Sequence, residues 1–469
     1  MMNCIYRMIS RTWPILLLLG SSSLLLCQDT RSVKEPTFPP ICSTLKATFT
    51  SASATSGAVE TEAVKTGNDK AGLDTSRVQS AIDACEPGHA VELAADGDHN
   101  AFLISPITLR GHVALLVDKG VVAYASRNPE SYAETPGSCG VVNDSLTGCK
   151  PLFAIKHATG AAIMGDGVID GQGGSPMISN GTAAARSWWE LSDEAPPGGR
   201  AQTPKLIASD VDDDFTLYRI TLRNSPKVNL SFHRGDGLTV WGVRIDTSQS
   251  TRTTAGIFVE QARNITITQS FIRAGGAAIA FNAGDGPTTG ITMTHNHLYW
   301  GRGLFIGPDT NAGVSQVRVE DLAIDGAEMG LGINSDPGNG GVVDDVIYDD
   351  VCIRNSKAPI LFDSVFAFPG RAAAAVPVYQ NIILRNVRIS GGGKIRFNGF
   401  DATHRIGVTL DGVQLLERSG YSPQALHTDF TFGPGPVNLV FTGDDSTING
   451  DAAKGTLPSC ATKWMPFPK

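Results

Sequence analysis

The sequence predicts an all-β fold, a right-handed parallel β-helix. Two observations predict it. An eight-residue unit returns at nearly constant spacing, and a turn-forming residue stands before almost every copy. The units run 238–245, 265–272, 291–298, 317–324, 346–353, 382–389 and 408–415, so their starts lie 27, 26, 26, 29, 36 and 26 residues apart; residues 215–222 form one unit earlier. Positions one, three and eight are apolar, and position six usually is, with Ser270 and Asn296 as exceptions. Period two, a bend, then period two again describes two short strands meeting at a corner. The residue before each unit is Gly237, Asn264, Gly290, Gln316, Asp345, Asn381 or Gly407. All but Gln316 are types that tolerate a left-handed backbone. A third strand follows in most coils, at Gly256–Glu260, Ala278–Asn282, Gly303–Gly307, Gly330–Asn334 and Pro359–Asp363. One coil cannot bury its own apolar face, so the stack is the domain.

Taken in order, the chain starts with Arg7 and Arg11 before an apolar run from Trp13 to Leu19. A basic segment and a short apolar one read as a secretory signal over 1–27, too short for a membrane span. Residues 28–70 are rich in Ser, Thr, Ala and Lys and read as a flexible leader. Asp74 to Cys85 reads as a capping helix for the open end of the stack, with Asp74 as N-cap and Val78, Ala81, Ile82 and Cys85 on one face. Ala90–Leu93, Phe102–Leu109 and Val113–Ser126 alternate as strands. The repeats carry the β-helix domain, placed at 71–445, with Lys394–Phe400 and Val437–Phe441 as its last rungs. A proline-rich tail fills 446–469.

The 469 residues alone would suit two or three domains or one long repetitive one. A net charge of -8 argues against nucleic acid as an electrostatic partner. Setting aside Cys4 and Cys27 in the signal leaves six cysteines, an even number that suits an oxidising compartment. Local spacing favours Cys139 with Cys149; Cys42 with Cys85 and Cys352 with Cys460 would pin the two ends. No cysteine or histidine has metal-ligand spacing, so neither metal nor cofactor is expected.

Several segments carry a family resemblance: Phe102–Leu109 with Val117–Gly120, Gly165–Gly173, Trp188-Trp189, Leu222–Pro226 and the rungs. With these the chain resembles glycoside hydrolase family 28, the polygalacturonases, in its bacterial form. The resemblance implies inverting hydrolysis of α-linked galacturonate polymers, which needs an acid and a base roughly 6.5–9.5 Å apart. It places three aspartates in an Asn-Thr-Asp and a Gly-Asp-Asp segment, a histidine in Gly-His-Gly, and a carboxylate-binding Arg-Ile-Lys one rung further. Here those segments read Thr253-Thr254-Ala255, Gly275-Gly276-Ala277, Gly301-Arg302-Gly303 and Gly332-Ile333-Asn334. The acid and base positions are thus Ala255, Gly276 and Ala277, and the histidine position is Arg302.

Stacking at about 4.8 Å per rung allows a search for replacements. The column ending the third strand reads Glu260, Asn282, Gly307, Asn334, Asp363; its two acids are roughly 19 Å apart. The column before the strand reads Thr254, Gly276, Gly301, Glu328, Lys357, where Lys357 can neutralise Glu328. Asp285, Asp309 and Asp336 fall in following loops, and His295 and His297 face away from the groove. Candidate substrate contacts are Arg302, Asn334, Glu260, Asn282 and Asp309. Trp188 and Trp189 either line the groove or pack. The sequence therefore reads as a secreted or periplasmic monomer, with a pectin-type or other polysaccharide as partner, no membrane span and no family-type hydrolysis. The alternative is a hydrolase or lyase with relocated catalytic residues.

Overall fold

A computed structural model describes residues 29–65, 73–179, 182–196, 199–335, 338, 340–365, 375–417 and 419–468. The expected signal over 1–27, residues 66–70 of the leader and Asp336 lie outside that range. The chain winds into a parallel β-helix. One sheet of 11 strands runs from Ile107–Thr108 to Tyr421–Leu426, and a second of 20 strands covers the other sides of the coil. The repeat register is kept rung upon rung: Ile265 pairs with Ile291, then Val317, Val346, Ile382 and Val408. These side chains stack within one apolar cluster that runs along the solenoid axis. Burial of such columns is what holds successive coils together.

The corner inside each unit is a single residue. Position five has positive φ in all seven units: Gly242, Gln269, His295, Asp321, Asp350, Asn386 and Gly412 lie between 50° and 83°. The residue before the unit also turns left-handed, including Gln316 at φ 58°, whereas Gly407 does not. At Gln316 the corner geometry overrides residue preference.

A charge ladder follows one edge of the units. Asp170, Arg223, Asp246 and Arg273 pair in successive coils. Arg223 bonds Asp170 at 2.8 Å, and Arg273 bonds Asp246. Two coils further, Arg354 meets Asp325 at 2.6 Å.

The N-terminus departs from the flexible leader expected over 28–70. Ile41–Lys46 is a strand paired in parallel with His89–Ala94 and tied by the Cys42–Cys85 disulfide. Helices α1 (Ser51–Thr55) and α2 (Ala58–Lys65) follow. The expected helix is α3 (Thr75–Ala84), with Val78 and Ile82 fully buried. Asp74 occupies the N-cap position without capping it. Its carboxylate instead accepts from Leu103 N at 2.8 Å and pairs with Arg77, so it ties the helix to the first coil.

The C-terminal end also extends beyond the expected boundary at 445. Thr428–Phe432 pairs with Ser446–Asn449, adding a rung from the expected tail. The tail then folds back along the outside. Cys460 bonds Cys352, Tyr299 Oη donates to Met465 O at 2.9 Å, and Phe467 lies 4.1 Å from the Arg273 guanidinium. Cys139–Cys149 completes the three expected disulfides.

Candidate functional site

The groove lies on the 11-stranded sheet, where alternate residues point outward. Ala277 pairs with Arg302, Arg302 with Met329, and Met329 with Ala358. The pairing of Ile257 with Ile279 puts Ala255 opposite Ala277. This column therefore presents methyl groups, one guanidinium and a thioether. Arg302 is exposed; its backbone N donates to Gly276 O at 2.8 Å, while no hydrogen bond or ion pair holds its guanidinium among the described residues. Thr254 is fully buried and donates to Thr251 O at 2.8 Å, a structural role. Glu328 is taken by Lys357 at 3.3 Å, as the sequence column suggests.

Gly276 and Gly332, where the resemblance expects an acid and an arginine, are crowded. A β-carbon on Gly276 would lie 2.8 Å from Arg252 O and 2.9 Å from Thr254 O. On Gly332 it would lie 2.5 Å from the Phe305 ring. Asn334 is fully buried; with its amide oriented to satisfy both ends, its nitrogen donates to Ile333 O (2.8 Å) and Leu361 O (3.2 Å). Asn282 is 3 % exposed. Arg302 stands in the first column and Glu260, Asn282 and Asn334 in the last, so the structure does not gather the five candidate contacts around one point. Asp309 follows the cis Gly307–Pro308 bond, and its carbonyl accepts Ala283 N at 2.7 Å.

The last column continues in the N-terminal direction, before the segments that carry the family motifs. Lys156 pairs with Asp210, Asp210 with His233, and His233 with Glu260. The signal was present in Ile-Ala-Ser-Asp at 207–210 and Leu-Ser-Phe-His at 230–233, which match Ile-Phe-Val-Glu at 257–260. His233 Nδ1 is 2.9 Å from Asp210, and Arg234 clamps the same carboxylate at 2.6 Å. Burial pulls Asp210 up, but these hydrogen bonds outweigh it and hold the group below the usual carboxylate range. Glu260 is pushed up, first by burial and further by Asp309 and Asp285, against the opposing pull of His233 and Lys205.

Beside this column opens a cavity of about 390 Å³, lined by Lys156, Lys205, Lys227, His233, Phe258 and Glu260 among others. Its far wall includes Leu146–Cys149, from the loop closed by Cys139–Cys149. Lys205 Nζ donates to Ser231 Oγ at 3.0 Å. Burial lowers the ammonium pKa of both Lys205 and Lys227.

The tryptophan pair packs. Trp188 is fully buried, edge-on to Tyr132 at 5.9 Å. Trp189 Nε1 donates to Ser225 O at 2.9 Å, and its ring occupies the space a β-carbon on Gly173 or Gly174 would need. His295 and His297 lie on the 20-stranded sheet, and His297 stacks on Phe271 at 4.7 Å.

The model of the glycosyl hydrolases family 28 matches residues 135–428. A polygalacturonase of Ralstonia nicotianae is 32% identical, covering 93% of this chain and 92% of its own length. An endo-polygalacturonase of Pectobacterium parmentieri is 36% identical, covering 83% and 90%. The solved polygalacturonase from Erwinia carotovora ssp. carotovora superposes with a TM-score of 0.74 at 32% identity, over 91% of this chain and 99% of that one. Fold, register and relatives agree: this chain belongs to glycoside hydrolase family 28.

Proposed function

We propose that the chain is a secreted family member that engages pectin-type acidic polysaccharide along the groove without family-type hydrolysis. The column Ala255–Ala277–Arg302 carries this reading, because the positions where the resemblance expects acids and a histidine hold two methyl groups and a guanidinium. Neither a methyl group nor a guanidinium can exchange a proton at neutral pH, and proton transfer from positioned groups supplies about 10²–10⁴ of the rate in such enzymes. Three disulfides support a site of action outside the reducing cytosol.

One observation favours the second reading, an enzyme with relocated groups. Glu260 and Asp210 are two rungs apart, roughly 9.6 Å along the column, near the upper end of inverting spacing. Asp210 is already committed to Arg234 and His233, which weakens it as a base. Reducing-end release and unsaturated-product absorbance on polygalacturonate separate the readings. The first expects binding with neither signal; turnover abolished by Glu260→Gln would establish the second.

A further inference from the structure

The cavity beside Ser231 holds two cations in an unusual setting. Lys205 and Lys227 are both half-buried, and Lys205 lies close enough to disfavour the charge on Lys227. Among the described residues the Lys205 ammonium has only the Ser231 hydroxyl as a hydrogen-bond partner, and the Lys227 ammonium has none. The groups acting on Lys227 are cations, Lys205 and Arg200. Partly burying two ammonium groups in one cavity with no ion pair to either is costly. The acids in the cavity offset that cost only in part: Glu260 and Asp210 favour the Lys205 charge without forming an ion pair with it, burial still holds Lys205 low, and Asp210 is bound by Arg234 and His233.

We propose that this cavity is a subsite for the carboxylate of a uronic acid residue, held between Lys205 and Lys227. The inference rests on the polysaccharide reading above and locates its anion-binding point away from the family's Arg-Ile-Lys position. A carboxylate accepts from both ammonium groups and relieves their repulsion. Phe258, one rung from Ser231 at the outward mid-strand position, offers a ring face to the sugar. The loop closed by Cys139–Cys149 forms the opposite wall, so a sugar here is held between sheet and loop.

The test is calorimetric titration of the full chain with trigalacturonate and with its fully methyl-esterified form, which keeps the shape and removes the charge. Wild type is expected to bind the acid at least tenfold more tightly than the ester. Lys205→Met and Lys227→Gln, checked for unchanged melting, should each lose at least tenfold for the acid, about 1.4 kcal/mol, and bind the ester as wild type does. Equal weakening for acid and ester would mean a structural role and overturn the subsite. Acid binding by the wild type with both variants unaffected would overturn the subsite and leave the polysaccharide reading standing. No binding of the acid by wild type would overturn both.

Discussion

The Phe305 ring occupies the space in front of Gly332, so that a β-carbon at position 332 would sit 2.5 Å from it. Phe305 stands opposite Gly332 in the next rung, and only a residue without a side chain leaves its ring in place. The glycine at 332, where the resemblance expects an arginine, and this ring are therefore one packing arrangement.

Gly332→Arg alone is expected to destabilise the fold by ~1–3 kcal/mol, the usual cost of overpacking. Gly332→Arg should cost less in a Phe305→Ala background than in the wild type. Thermal melting of both single variants and the double variant checks it, and an equal cost in both backgrounds would show that the ring moves aside freely.

Restoring the family set by Ala255→Asp, Gly276→Asp, Ala277→Asp, Arg302→His, Gly332→Arg and Asn334→Lys should give no turnover of polygalacturonate. Gly276 is hemmed in by Arg252 O and Thr254 O, and Gly332 by Phe305. Reducing-end assays decide this, and activity in the sixfold variant would show that the groove tolerates the side chains the resemblance expects.

Stability should depend on pH through Glu260. Its carboxyl is raised by burial, so the folded chain holds that proton more tightly than the unfolded chain does. Its contribution is present below the ordinary carboxylate range and is lost as pH rises through the raised value. Glu260→Gln does not titrate. The melting temperature of Glu260→Gln minus that of wild type should therefore increase between about pH 4 and about pH 7. A difference constant across that range would contradict the assignment.

Opening the C-terminal clasp should be costly. Cys352→Ser/Cys460→Ser is expected to lose ~2–4 kcal/mol and to release Trp464, which lies 4.4 Å from the Arg354 guanidinium. A red shift in tryptophan fluorescence before global unfolding would report the release. Coincident loss of tail and fold would show that the tail is not separable.

The coils were legible because their signal is repeated: the same apolar positions recur with the same bend, and tertiary pairing preserves that register. Ile41–Lys46 was missed because it occurs once, within a Ser- and Thr-rich stretch. The cysteines held the missing clue, since a bond between Cys42 and Cys85 requires residue 42 to lie beside the first coil. Asp210 and His233 were not legible for a different reason: they lie before the family motif, in a ladder that extends three rungs earlier than Glu260, to Lys156. The lysines of the cavity carry no sequence pattern. Lys205 precedes a strand and Lys227 follows a proline, and only the coiled backbone brings them together.

The alternation of Asp170, Arg223, Asp246 and Arg273 limits how this solenoid can change length. Excising the coil that bears Asp246 would set two guanidinium groups against each other, and excising the one that bears Arg223 would do the same with two carboxylates. Along this stretch, gain or loss of coils is electrostatically neutral only in pairs, so descendants of this chain should differ by even numbers of turns there.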